Sequence, residues 1–168
     1  MEITTAMIKE LRESAGAGVM DAKRALEEAD GDMAKARAIL RERGAAAAAK
    51  RADRETSNGV VESYIHAGGR IGGLGEVNCE TDFVANTPDF RELARNIAMQ
   101  VAAMNPQLIA VEERAEHEIE GTDEEVCLLS QPFIKDGSRT IGNLVSDTVA
   151  KTGENIRVRR FVRYELGR

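Results

Sequence analysis

Of the side chains that most often do chemistry, this sequence holds two histidines, His66 and His117, and two cysteines, Cys79 and Cys127. A histidine can act as a general base or metal ligand near neutral pH, and a thiolate as a nucleophile, but each needs a partner within reach. His66 closes a strand-like run and His117 lies in an acidic stretch. Neither has a cysteine or serine at a recognised spacing, and both read as polar surface histidines. The cysteines match no metal-ligand pattern and read as free thiols of a reducing, cytoplasmic compartment. There is no GxxxxGK[ST] loop, and Gly72-Gly73-Leu74-Gly75 is not a GxGxxG fingerprint. Glycines inside a strand mark close packing or a bulge instead. The pattern is that of a binding protein, not an enzyme, with no cofactor and no metal of its own.

Three groups of residues remain as candidates for binding. Thr81-Asp82-Phe83-Val84 follows a strand-like run and precedes a capped helix, which puts it in a surface connection. Phe83 has two readings there. It folds back onto Phe90 and completes the local core, which the pattern alone favours, or it projects toward a pocket on a partner. Val19 and Met20 stand at the start of a helix, off its Ala22/Leu26 stripe and beside Lys23. They either pack on a neighbouring helix or form a contact patch. Arg157, Arg159 and Arg163 line one face of the last strand, with Arg160 on the other, either as a solvated face that answers the acidic residues 112–125 or as an RNA-binding or ribosome-associated surface.

Charge and punctuation outline the elements that must position these groups. The net charge is -6, and residues 105–130 hold one basic side chain against eight acidic ones. An acidic whole opposes sequence-blind nucleic-acid binding, which depends on phosphate neutralisation. Only residues 131–168 are basic, with eight against four. Aromatic residues at 4% are too few for a base-stacking platform. No apolar run is long enough to span a bilayer, and Lys9, Glu10 and Arg12 interrupt any signal-like start.

Three short helices fill residues 1–44. Gly16-Ala17-Gly18 and Asp30-Gly31 separate them, Asp32 caps the third, and Gly44 closes it. The alanine-rich residues 45–56 read as a connector, helical or frayed. Residues 57–168 form the larger unit. It opens with a hairpin around Gly68-Gly69, and the return strand runs Ile71 to Cys79. Thr87 and Pro88 then start a helix whose stripe is Phe90, Leu93, Ala94, Ile97, Ala98, Val101 and Met104. Leu108 to Val111 suggests a short strand. Ile141, Leu144, Val145, Thr148 and Val149 mark a further helix, stopped by Gly153. In the last strand Ile156, Val158, Val162 and Tyr164 share one face, with Arg160 breaking the pattern. The fold class is α+β, with a three-helix module, a linker, and a two-layer core of three antiparallel strands with helices on one side.

Four blocks carry a resemblance: Gly16-Ala17-Gly18-Val19-Met20-Asp21 with Lys23 to Ala29; Glu76 to Ala85; Gln131 to Asp136; and Gly153 to Phe161. In this order they resemble the bacterial translation elongation factor Ts family. The resemblance implies a ubiquitin-associated-like (UBA-like) module, a linker and an α/β dimerisation-type core. It implies that elongation factor Tu is the partner, GDP-bound or nucleotide-free, and that the function is guanine-nucleotide exchange. It implies that Thr81, Asp82, Phe83 and Val84 enter that GTPase near its magnesium site, which reverses the pattern-based preference for a packed Phe83. By the same likeness Val19, Met20 and Lys23 contact the GTPase from the N-terminal module. The chain departs from the family at Val19, where methionine is usual, and at Asn86, where a basic residue is common. Between Val111 and Val126 it keeps only a short acidic bridge where most members have a longer helical segment. A homodimer offering two such sites is one expectation that follows from the missing contacts.

Overall fold

A computed structural model describes residues 3–168. Helix α1 (Thr5–Ala15) is capped by Thr4, whose hydroxyl accepts from Met7 N, and it ends at Gly16 with φ 64°. Helix α2 (Val19–Glu28) ends in the Asp30-Gly31 turn, where Gly31 N donates to Leu26 O at 2.8 Å. Asp32 accepts from Ala34 N and Lys35 N to start helix α3 (Met33–Arg51). Leu11, Ala22, Ala25, Leu26, Ala29 and Ala36 are buried among the three helices, a small core built mostly of alanine.

Gly44 does not close the third helix, which continues through the alanine run to Arg51. The reason is tertiary. Gly44 is buried, and a Cβ there would lie 3.7 Å from Asp147 Oδ1 and 4.0 Å from Ala150 Cβ. The missing side chain lets α3 lie close against helix α7 (Ile141–Thr152), and that packing outweighs glycine's intrinsic cost of roughly 1 kcal/mol in a helix.

The larger unit is α+β. Its sheet has the order β1 (Asn58–Ile65), β2 (Ile71–Cys79), β5 (Ile156–Glu165), antiparallel throughout. Helix α5 (Pro88–Met104) lies across one face, capped by Thr87 and ended by Asn105 with φ 49°. Phe90, Ile97, Val101, Val77, Ile141 and Val149 are fully or almost fully buried between these layers. The hairpin loop is longer than a two-residue turn. His66 N donates to Ile71 O, so Ala67–Arg70 lie outside the ladder, with Gly68 and Gly69 at φ 89° and 68°.

The last strand does not keep one apolar face. A bulge between Glu76 and Val77 sets Val158 opposite Val77 but Arg160 opposite Glu76, leaving Arg159 as the extra residue. An inserted residue reverses every side chain beyond it. Ile156 and Val158 are buried, whereas Val162 and Tyr164 stand on the open face. Arg163 turns inward and donates to Ala102 O at 2.9 Å.

Beyond α5, Leu108 to Val111 makes one parallel bridge, Leu108 to Cys127, not a strand. A 3₁₀ turn at Val111–Ala115 and the single-turn helix α6 (Asp123–Val126) follow. A second sheet of β3 (Pro132–Phe133) and β4 (Asp136–Thr140) goes beyond the three expected strands. Buried Gln100 on α5 holds it, donating to Pro132 O and accepting from Ile134 N. Among the described residues no helix is long and apolar enough to cross a membrane, and no three His, Cys, Asp or Glu side chains gather as a metal site.

Candidate functional site

The candidate site is the connection from β2 to α5. Strand β2 ends at buried Cys79, and burial pushes its thiol up to about 11. It therefore keeps its proton at neutral pH, and the S–H donates to Thr81 O at 3.1 Å. Thr81 leaves the strand in an extended conformation and caps helix α4 (Asp82–Ala85), its hydroxyl accepting from Val84 N at 3.3 Å. The far end is fixed by Thr87, whose N and Oγ1 both donate to Val84 O. A single helical turn tied at both ends results.

Helical geometry then sorts its side chains. Val84 and Ala85 face inward, 4% and 5% exposed, and pack on the core. Asp82, Phe83 and Asn86 face outward. Phe83 is 79% exposed, while Phe90 is wholly buried without it. The packed reading of Phe83 fails because a turn that buries Val84 and Ala85 must aim position 83 at solvent. The Asp82 carboxylate makes no hydrogen bond or ion pair among the described residues; its backbone oxygen accepts from Asn86 Nδ2. Asn86 Oδ1 in turn accepts from Arg91.

Val19 and Met20 open α2 and are 55% and 57% exposed. Neither belongs to the core buried among the three helices. Lys23, three and four residues on, shares their side of the helix and pairs with Glu27 at 3.7 Å, an exposed pair of small worth. No described hydrogen bond or ion pair joins this patch to Thr81–Val84; Ala22 and Leu26 of α2 are buried in one hydrophobic cluster and Val84 in another.

The arginine strand is largely occupied within the chain. Arg157 donates to Ala52 O, Arg160 pairs with Glu76 at 2.7 Å, and Arg163 pairs with Glu165 at 2.9 Å. These arginines do not answer residues 112–125, whose own Arg114 pairs with Asp123.

Local spacing gave no hint of Glu154. It lies 73 residues from Thr81, yet its carboxylate accepts from Glu80 N, Thr81 N and Thr81 Oγ1 at 3.1, 3.0 and 2.6 Å. In return the Glu80 carboxylate accepts from Asn155 N at 2.7 Å.

Comparison with known proteins agrees with this layout. The family model described as Elongation factor TS matches residues 4–124 and 110–168. The chain is 51% identical to elongation factor Ts of Carboxydothermus hydrogenoformans, covering 98% of this chain and 89% of that protein. It is 50% identical to the factor of Desulforamulus reducens, with 99% and 90% covered. Against the factor of Moorella thermoacetica identity is 51%, over 98% of this chain and 96% of the other. These alignments run to 194 or 195 residues against a chain of 168, so the relatives carry residues that this chain lacks. The two family matches overlap at 110–124, the acidic bridge.

Proposed function

This chain belongs to the elongation factor Ts family, and we propose that it accelerates guanine-nucleotide release from elongation factor Tu by inserting Phe83 into that GTPase near its magnesium site. The observation that carries the reading is the 79% exposed ring on a turn tied at both ends. A large apolar side chain held in solvent without covering its own core has its best use in a second molecule.

The mechanism needs no bond to be made or broken. The factor binds best to the GTPase conformation that holds nucleotide and magnesium poorly, and so raises that conformation's population. The coupling is reciprocal: whatever factor it takes from nucleotide affinity, nucleotide takes from its own. Displacing magnesium adds to the effect, because the metal bridges phosphate oxygens and protein. Asp82, whose carboxylate has no partner among the described residues, contacts the GTPase beside the ring. Capture of Tu from solution by the immobilised chain, and its release by added GDP, tests the reading. Failure of GDP to release Tu counts against it.

Val19, Met20 and Lys23 serve as the second contact. Met20→Asp should raise the factor concentration needed for half-maximal exchange by about tenfold, since it puts a charge into an apolar contact worth roughly 1–2 kcal/mol. A concentration series of nucleotide release measures it; an unmoved midpoint removes the patch from the interface.

A homodimer joined through the open sheet face has its own support. Across the three strands the register sets Ser63, Leu74 and Val162 in one row and Ile65, Gly72 and Tyr164 in the next. Ile65 is 65% exposed, Tyr164 74%, and Leu166 beyond them 67%. The Arg160–Glu76 pair borders this patch and holds the Glu76 carboxyl below its ordinary value. Such a patch suits a two-fold contact, in which the same face of each chain meets its copy. Tyr164→Asp should convert a dimer to monomer in light scattering; a parent chain that is monomeric at all concentrations excludes the dimer.

The RNA-associated alternative is weakened by the arginine contacts: three of the four arginines of that strand have partners within the chain.

A further inference from the structure

We infer that Glu154 is the positioning residue of the exchange site, aiming Phe83 through Thr81; this rests on the exchange reading above. The connection leaves β2 with two successive backbone donors, Glu80 N and Thr81 N, and one carboxylate oxygen of Glu154 accepts both. The other oxygen accepts the Thr81 hydroxyl proton at 2.6 Å. A hydroxyl has one proton to give and two lone pairs to offer. With its proton committed to Glu154, Thr81 Oγ1 presents a lone pair to Val84 N, and that contact forms the cap of α4. The carboxylate thus sets the rotor that sets the turn.

The turn needs such outside support. Four residues of helix do not hold themselves in water. Phe83 touches too little of its own chain to fix its direction, so its aim is that of the turn. Glu154 itself is well anchored. It sits between Gly153, which ends α7 at φ 76°, and buried Asn155. Asn155 Nδ2 donates to Ala52 O and Arg54 O, and Asn155 N donates to Glu80. The carboxylate therefore stands on a frame tied to the end of α3 and to the strand it supports. Glutamine has the same size, and its one oxygen can serve the two backbone donors, but its amide would donate to Thr81 Oγ1, reversing that hydrogen bond and freeing the hydroxyl proton that fixes the rotor.

Stopped-flow release of fluorescent GDP from Tu at saturating factor tests this with Glu154→Gln, Phe83→Ala and the double variant. Glu154→Gln should lower the maximal release rate about tenfold, the worth of one charge-assisted hydrogen bond. It should add nothing in the Phe83→Ala background, because an absent ring needs no aiming. Thr81→Val should match Glu154→Gln, and combining the two should be no worse than either. The chain contains no tryptophan, so Phe83→Trp supplies a single fluorophore at the site. Its anisotropy should fall when Glu154→Gln is added, a readout that general loss of stability, followed by thermal melting, does not move below the transition. If Phe83→Ala slows release and Glu154→Gln does not, the positioning role is wrong and the exchange reading stands. An equal loss from Glu154→Gln in the presence and absence of the ring also overturns the role. If Phe83→Ala itself releases at the parent rate, the exchange reading falls and this inference falls with it.

Discussion

Phe83→Ala should leave the fold and the complex in place and remove one to two decades of nucleotide-release acceleration. The ring is 79% exposed and no part of the buried cluster depends on it, so unfolding should shift by no more than about 0.5 kcal/mol, the usual range for surface substitutions. On the proposed mechanism, what it loses is contact made only on the partner. Burying a phenylalanine is worth roughly 1.5–3 kcal/mol, and about 1.4 kcal/mol corresponds to one decade. That energy acts on release only to the extent that the pocket exists in the nucleotide-releasing conformation and closes in the other. Phe83→Leu keeps much of the apolar area and should fall between. Binding of nucleotide-free Tu, measured separately, should persist through the remaining interface. A release rate equal to the parent's would remove the ring from the mechanism.

The parts of this architecture visible in the sequence are those governed by neighbours a few residues away. Thr4, Asp32 and Thr87 cap helices as their types require, and Gly16 and Gly153 take the left-handed φ that ends them. Gly73 of β2, inside a strand where a glycine marks close packing, does lie against α5. What failed was set at a distance. Gly44 reads as a stop and is a contact, because α7 lies against it. Ile156, Val158, Val162 and Tyr164 look like one face until a bulge at Arg159 divides them; the trace of it in the sequence is Arg160, which breaks their row. The short β3–β4 pair depends on buried Gln100 from a helix more than thirty residues earlier.

The site divides in the same way. That Thr81–Val84 is a surface connection followed from the strand before it and the capped helix after it. Which way Phe83 points did not, since both readings use the same local sequence. The choice comes from burial of Val84 and Ala85, which is a matter of what the turn packs on. The same holds for Val19 and Met20: their local sequence left packing and contact balanced, and only the three-dimensional structure shows that they are exposed. Glu154 lies beyond local reading altogether: a carboxylate after a helix-ending glycine is common, and only the meeting of two distant loops gives it three donors.

Two adjacent glycines of β2 should respond in opposite ways to one added methyl group. At Gly73 a Cβ would lie 2.6 Å from Ala98 O and 3.1 Å from Ala102 N, both backbone atoms of α5. Neither can turn aside, so the helix must lift from the sheet, and Gly73→Ala should cost about 1–3 kcal/mol, as overpacking does. At roughly 2–4 °C per kcal/mol for a chain of this size, the melting temperature should drop by several degrees. At Gly72 the nearest atom is Ile65 Cδ1 at 2.7 Å, the tip of a side chain on the open face. It can rotate into solvent, and the lost flexibility of the unfolded chain offsets the rearrangement, so Gly72→Ala should be within about 0.5 kcal/mol of the parent. Urea unfolding of the two variants side by side measures the difference. Equal costs would mean that α5 does not rest on the sheet at Gly73. The comparison bears on function because α5 begins at Pro88, directly after the turn that carries Phe83. A helix pushed off the sheet pulls on Thr87 and its bonds to Val84 O, while Thr81 stays clamped by Glu154 at the other end. Gly73→Ala should therefore slow exchange modestly below its melting point, and Gly72→Ala should not.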